Sequence, residues 1–410
     1  MRDFTLVLRG ALFCALALLL GSSLRAQRTW VVDNSAGPNH DFTALMDAIA
    51  AAAPGDYVHV RASTVPYGLS GTITKGLRIV GLGASRVPLN CSDPILTIPA
   101  GQLFVLHNFE ATSLGFYDFP IRAIQSPGMV LASVFFSTPS NGLPPGAFDS
   151  RMMVFVDSWL DSPDQALRLL RAGVHLQNTN LTSHGNVPNH PLEHTMYAER
   201  SRVTVVGGWI RGGDGYSTCE PPSYRRAGWG YNPVATQSYL AAAARFEGGD
   251  DQGSCSSGSG LGAAMSSCIP GTDLMAIDPL TIANSSYISR GCEPMGVLFD
   301  HEFPAVIPGP ARRGQPQTLQ LFGPSQSVLA LFASFATPFE PIRLPVGDVW
   351  LDPYLTVHVG SAAVNAQRRA SLGTNIPTWL PIGEVLVFQV AALSPSASFE
   401  LSPPGFAVVH

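Results

Sequence analysis

Between residues 76 and 210 one arrangement of apolar and polar positions recurs. A glycine or arginine opens each copy and two to four apolar positions follow. A polar or glycine step comes next, then one or two more apolar residues. The copies begin at Gly76, Gly101, Gly128, Arg151, Gly173 and Arg202, at spacings of 25, 27, 23, 22 and 29. Each later carries a second apolar stretch, such as Asn108-Phe109, Val134, Trp159-Leu160, Leu181 and Trp209-Ile210. Weaker copies lie at 244–246 and 280–282. A period near 25, short strands and no intervening amphipathic helix define a solenoid in which each turn stacks on the last. The expected fold is all-β: a right-handed parallel β-helix of about eight coils over residues 27–310. Val203 and Val205 should face its interior with Leu176 beneath them. Asn178 and Asn180 should stack inward at the bends, and Asn284 occupies a similar place.

The ends of a solenoid need caps. The segment 29–33 reads as a short strand and 42–53 as a helix, with Phe42, Leu45, Met46 and Ile49 on one face. Asp41 is the expected N-cap. The order of this strand, DFTALMDAIAAAAPGDYVHV and KGLRIVGLGAS resembles the start of the pectin-lyase-like β-helix superfamily. That superfamily includes pectate lyases, polygalacturonases and pectin methylesterases. The resemblance spans about residues 28–310 and implies the fold; activity varies across the superfamily.

Two stretches interrupt the repeat, 212–237 and 250–276, both rich in Gly, Ser, Pro and Cys. They read as long loops on one side of the solenoid. Residues 308–317 read as a linker. Beyond it, 318–410 shows short strands broken by Pro and Gly, as in a small antiparallel β-sandwich. Gly347, Trp350, Leu351, Asp352 and Pro353, with the later stretch 382–390, resemble a C-terminal β module found in secreted bacterial proteins. That resemblance implies an accessory or surface-association unit.

Composition narrows the function. Of 410 residues only 13% are charged, and 40 Gly and 34 Pro fit a turn-rich β protein. The net charge is −5, Lys75 is the sole lysine and no basic run occurs, which excludes a nucleic-acid partner. Residues 1–26 read as a secretory signal peptide: Arg2 and Arg9 precede the apolar run 11–20, and cleavage is expected after Ala26. No later stretch is long and apolar enough to span a bilayer. The expected location is secreted: extracellular, periplasmic or at the cell surface. Export permits disulfides. Cys219, Cys255, Cys268 and Cys292 are the candidates, in any of three pairings, and Cys91 is the odd one out.

Catalytic signatures are sparse. A pectate lyase holds calcium with acids on a strand face and uses an Arg as base. Asp214, Glu247, Asp250 and Asp251 are the candidate acids, with Arg211, Arg245 or Arg225 as base. The polygalacturonase stretches are out of order, and those of pectin methylesterases are absent. His184, His190 and His194 are weak metal candidates, since Pro188 and Pro191 break any helix that would align them. For binding, Tyr216, Tyr224, Trp229 and Tyr231 interleave with Arg225 and Arg226. Exposed rings stack on sugar faces, and Arg pairs with uronate or sulfate. The alternative for these rings is that they pack the long loop onto the solenoid wall. The expectation is therefore an exported, non-catalytic β-helix protein that binds glycan or another surface polymer. The second reading is a polysaccharide lyase or glycoside hydrolase acting on an acidic polysaccharide.

Overall fold

The structure, a computed structural model, describes residues 27–115, 119–138, 143–163, 165–184, 194–212, 304–336 and 341–410, and six further strands between 213 and 303. It is a parallel β-solenoid followed by antiparallel sheets. The first solenoid sheet has eleven strands, starting at Thr29–Val32 and Tyr57–Arg61 and ending at Phe299–Asp300. The strands of the sequence repeat form its middle: Arg78–Leu82, Phe104–His107, Met129–Ala132, Met153–Val156, Gly173–Gln177 and Arg202–Val206. A fourteen-stranded sheet wraps the other two faces. It bends at the ten-residue strand Val87–Leu96, which pairs with Phe109–Ser113 through its start and with Arg122–Ile124 through its end. Among the described residues six successive turns carry a strand on all three faces, and partial turns extend both sheets.

Side chains alternate across each strand, so every turn sends one set of residues inward. Val58, Ile79, Leu106, Leu131, Phe155, Leu176 and Val205 occupy one register position in successive turns and form a buried column. Val203 lies over Val174 in the adjacent column, as the repeat required. The corners use single left-handed residues. Asn108, Ser133, Asp157, Asn178 and Gly207 all have positive φ where the first sheet turns into the second. Asn and Asp tolerate this conformation through short local hydrogen bonds, and Asn178 Nδ2 donates to Asp157 Oδ1 at 2.7 Å. Asn178 is exposed at this corner and does not stack inward, and Asn180 is not part of the corner at all. It lies in the second sheet in register with Trp159 and Trp209. Asn284 lies outside the described residues.

The cap helix is shorter than the periodicity implied, Leu45–Ala51, with Ala44 at the N-cap and no side-chain cap. Asp41 instead accepts a hydrogen bond from the backbone N–H of Val31 at 2.8 Å, tying the loop to the first strand. Leu45, Ala48 and Ile49 are the buried residues, because the helix closes the solenoid end with one narrow stripe.

The segment 308–317 does not separate two bodies. Ala305–Pro308 pairs antiparallel with Pro316–Phe322, which pairs with Arg369–Asn375, so the expected linker lies inside a three-stranded sheet. A five-stranded sheet faces it, built from Val357–Ala363, Val328–Phe335, Val385–Leu393, Phe399–Leu401 and Gly405–Val408. Leu319, Leu321, Leu329, Leu331, Phe388 and Val390 fill the space between these two sheets. The other side of the five-stranded sheet docks on the outward face of the first solenoid sheet. There Val385, Val387, Phe406 and Val408 pack with Val105, Val130, Val154 and Val156 in a second buried apolar layer. Gly383, at φ 94°, permits the closest approach: a Cβ there would lie 2.6 Å from Val80 Cγ2.

Candidate ligand-binding face

The module covers the outward side of the first sheet. The outward side of the second sheet is bare in the described residues, and its register lines up chemistry. One outward column runs Glu110, Phe135, Trp159, Asn180 and Trp209 in successive turns. The parallel column beside it runs Thr112, Ser137, Asp161, Thr182 and Arg211. Between them Ala111, Phe136, Leu160, Leu181 and Ile210 point inward and are buried. Alternation within three- to five-residue strands thus produces an aromatic stripe flanked by a polar one.

The stripe has defined geometry. Trp159 is 43% exposed. Its ring meets Phe135 edge-on at 5.8 Å between centroids. The guanidinium of Arg86 lies 5.9 Å from the Phe135 ring, and that of Arg211 lies 5.6 Å from Trp209. Trp159 and Trp209 are two turns apart, about 10 Å along the axis at one strand spacing per turn. Beside Trp159 a polar chain is assembled. Trp159 Nε1 donates to Thr182 Oγ1 at 3.1 Å, and Thr182 Oγ1 donates to Asp161 Oδ1 at 2.5 Å. His184 Nε2 meets the same carboxylate oxygen at 2.7 Å. A half-exposed imidazole oriented by a carboxylate, next to an exposed indole, can donate to or accept from a sugar hydroxyl.

The sequence-derived candidates divide by this geometry. Arg211 lies on the outward face, in register with Glu247, and Arg245 is in register with Trp209. Asp214, Asp250 and Asp251 lie outside the described residues, as do Tyr216, Tyr224, Arg225, Arg226 and Trp229. Tyr231 does not fit the expected role. Its ring is fully buried in the solenoid core, on the strand Tyr231–Val234, so it cannot stack on a ligand. The packing alternative holds for that ring, because its position in register with Met196 falls on an inward column.

The three histidines are not brought together as a metal site by the described residues. His184 pairs with Asp161, and His190 lies outside the described residues. His194 stacks on Tyr197 at 6.4 Å, and burial pushes its pKa down to about 4. No cluster of three or more metal-binding side chains occurs among the described residues. Cys91 is a free thiol in the core, and burial pushes its pKa up to about 12. Cys219, Cys255, Cys268 and Cys292 lie outside the described residues, as does the segment 1–26.

A second concavity, a cleft of about 530 Å³, opens at the seam between solenoid and module. Arg202 and Asp348 line it and already pair with each other at 2.9 Å, and Met152, Trp350, Phe399 and Leu401 supply apolar wall. Arg202 and Asp348 thus satisfy each other across the joint. No protein-family model, curated protein or solved structure matches the chain.

Proposed function

We propose that this is an exported, non-catalytic β-helix protein that binds a glycan or another surface polymer along the outward face of its second sheet. The observation that carries the reading is the stripe of Phe135, Trp159 and Trp209, flanked by Asp161, Thr182, His184 and Arg211. Aromatic faces take up the apolar faces of sugar rings, and flanking polar groups take up the hydroxyls. A straight stripe parallel to the solenoid axis suits an extended polymer better than a compact small molecule. Membership of the pectin-lyase-like superfamily and a secreted location, whether extracellular, periplasmic or at the cell surface, belong to the same proposal.

The test is a glycan-array screen of residues 27–410, followed by affinity electrophoresis of a Trp159→Ala/Trp209→Ala variant. The expected result is retardation of the unmodified chain by at least one polysaccharide and at least tenfold weaker retardation of the variant. Equal retardation of the two would overturn the reading.

A second reading, a polysaccharide lyase or hydrolase, is favoured by one observation: the Asp161–His184 pair sits beside the exposed Trp159. Release of unsaturated products or new reducing ends, lost in His184→Gln, would select it.

A further inference from the structure

Ten histidines occur in the chain, and four of them meet at the joint between the first solenoid sheet and the C-terminal module. His59 Nε2 lies 3.5 Å from the carbonyl oxygen of Ile382. The His107 ring lies 5.6 Å from that of His410. The His175 ring meets Phe406 edge-on at 5.3 Å, and its Nε2 is buried with no hydrogen-bond partner. His59, His107 and His175 stand on the outward face of the solenoid sheet, in the register columns that otherwise hold Val80, Val105, Val130, Val154 and Val156. This is an apolar layer with imidazoles set into it.

We propose that this joint is an acid-released clasp: protonation of His107 and His175 lifts the module off the first sheet and lays bare the apolar face beneath.

The surroundings of each ring decide the direction. Around His107 the neighbouring strands present Val80 and Ala132 in register, and its Nδ1 lies 3.2 Å from the Ala132 carbonyl oxygen. The module presents His410, a second imidazole and not a counter-charge. Around His175 the flanking strands present Val154 and Thr204, and the module presents Phe406. Arg202, Asp348 and Glu400 line the cleft beside it, with Asp348 already held by Arg202. Desolvation pushes His107 down to about 4 and His175 down to about 3, and lowers His59 as well. Undocking returns these rings to water and to ordinary values near 6.5.

The docked state therefore holds fewer protons than the undocked one. Docking is undiminished above about pH 6.5 and weakens as pH falls from there toward 4. Each of the two rings multiplies the undocked-to-docked ratio by up to about ten per pH unit in that window. Asp157 acts the other way. Burial raises its pKa, so it takes its proton sooner when docked, but it is one group against two. Glu384 also faces the joint as a polar clip, accepting from Tyr57 Oη at 2.7 Å and from Arg78 at 3.2 Å.

The test uses the full chain between pH 7.5 and 4.0. It reads anilinonaphthalene sulfonate fluorescence, the radius of gyration by small-angle scattering, and far-UV circular dichroism. The expected result is a rise in dye fluorescence and radius with a midpoint between pH 4 and 6, while the β signal persists. In His107→Gln/His175→Phe the midpoint should fall by at least one pH unit. Should that double variant not fold at pH 7.5, each single variant should shift the midpoint by about half as much. His40→Gln, on the N-terminal loop beside Gly37, should leave it unchanged. A flat response down to pH 4.0, a midpoint indifferent to the joint histidines, or loss of the β signal in the same step would overturn the proposal.

Discussion

The same turns build the first and second solenoid sheets, yet the outward faces differ. In the first sheet, Phe104–His107, Met129–Ala132 and Met153–Val156 are buried at every position. In the second, Phe109–Ser113 and Trp159–Ser162 alternate buried and exposed residues. A strand buried on both faces reads as a continuous apolar run, and a strand with one wet face alternates. The difference is written in the sequence as MVLA and MVFV against FEATS and WLDS. It teaches that the C-terminal module is part of the solenoid's architecture: it supplies the second layer that the first sheet's valines require. Among the described residues the second sheet carries no such layer, and its outward side chains stay open.

Breaking the covered side should cost most. Val154→Asp places a charge between two apolar layers with no partner, a loss of several kcal/mol. Ser137→Asp, outward on the bare sheet, should change stability by no more than about 0.5 kcal/mol. Thermal melts of the two check the contrast. Next is Gln177, whose Nε2 donates to the Phe406 carbonyl at 2.8 Å and whose Oε1 accepts the Phe406 N–H at 2.7 Å. Gln177→Leu removes both of these buried hydrogen bonds and should cost about 2–4 kcal/mol by urea denaturation. Smaller again is Gly383→Ala. It forces a side chain into a left-handed backbone against Val80, at roughly 1–3 kcal/mol, read by the same denaturation.

Much of the fold was legible. The spacing near 25 located the six first-sheet strands from Arg78–Leu82 to Arg202–Val206, because a solenoid repeats its inward positions once per turn. The docking of the module was less legible. The consecutive apolar residues at Val105, Val130 and Val154 announce a covered outward face, but which segment covers it depends on contacts more than 200 residues away, as with Gln177 and Phe406. Arg369–Asn375 is hard to read from sequence because its inner side is sparse, with Ala370, Leu372 and Thr374 only partly buried. The aromatic stripe was hidden for a different reason. Phe135, Trp159 and Trp209 are far apart in sequence, and unequal turn lengths of 24, 21 and 29 residues from 135 to 159, 180 and 209 obscure their common column. Writing each turn under the last by its inward residue brings them together. The rings chosen from sequence, clustered in 216–231, stood out only because they are neighbours along the chain.

The smallest effect on stability is expected where the effect on binding is largest. Trp159 is outward on the bare sheet, and its ring touches Phe135 at one edge. Removing it deletes one side-chain hydrogen bond, to Thr182, whose hydroxyl is left beside solvent and so can bond to water. No cavity opens in the core, because Leu160 beneath it remains and is fully buried. Trp159→Ala should therefore change unfolding free energy by no more than about 1 kcal/mol. A polymer stacked on the stripe loses its most exposed ring, so its affinity should drop about tenfold. A melt as damaged as that of Gln177→Leu would mean that the indole holds the second sheet together, and that the bare face is structural after all.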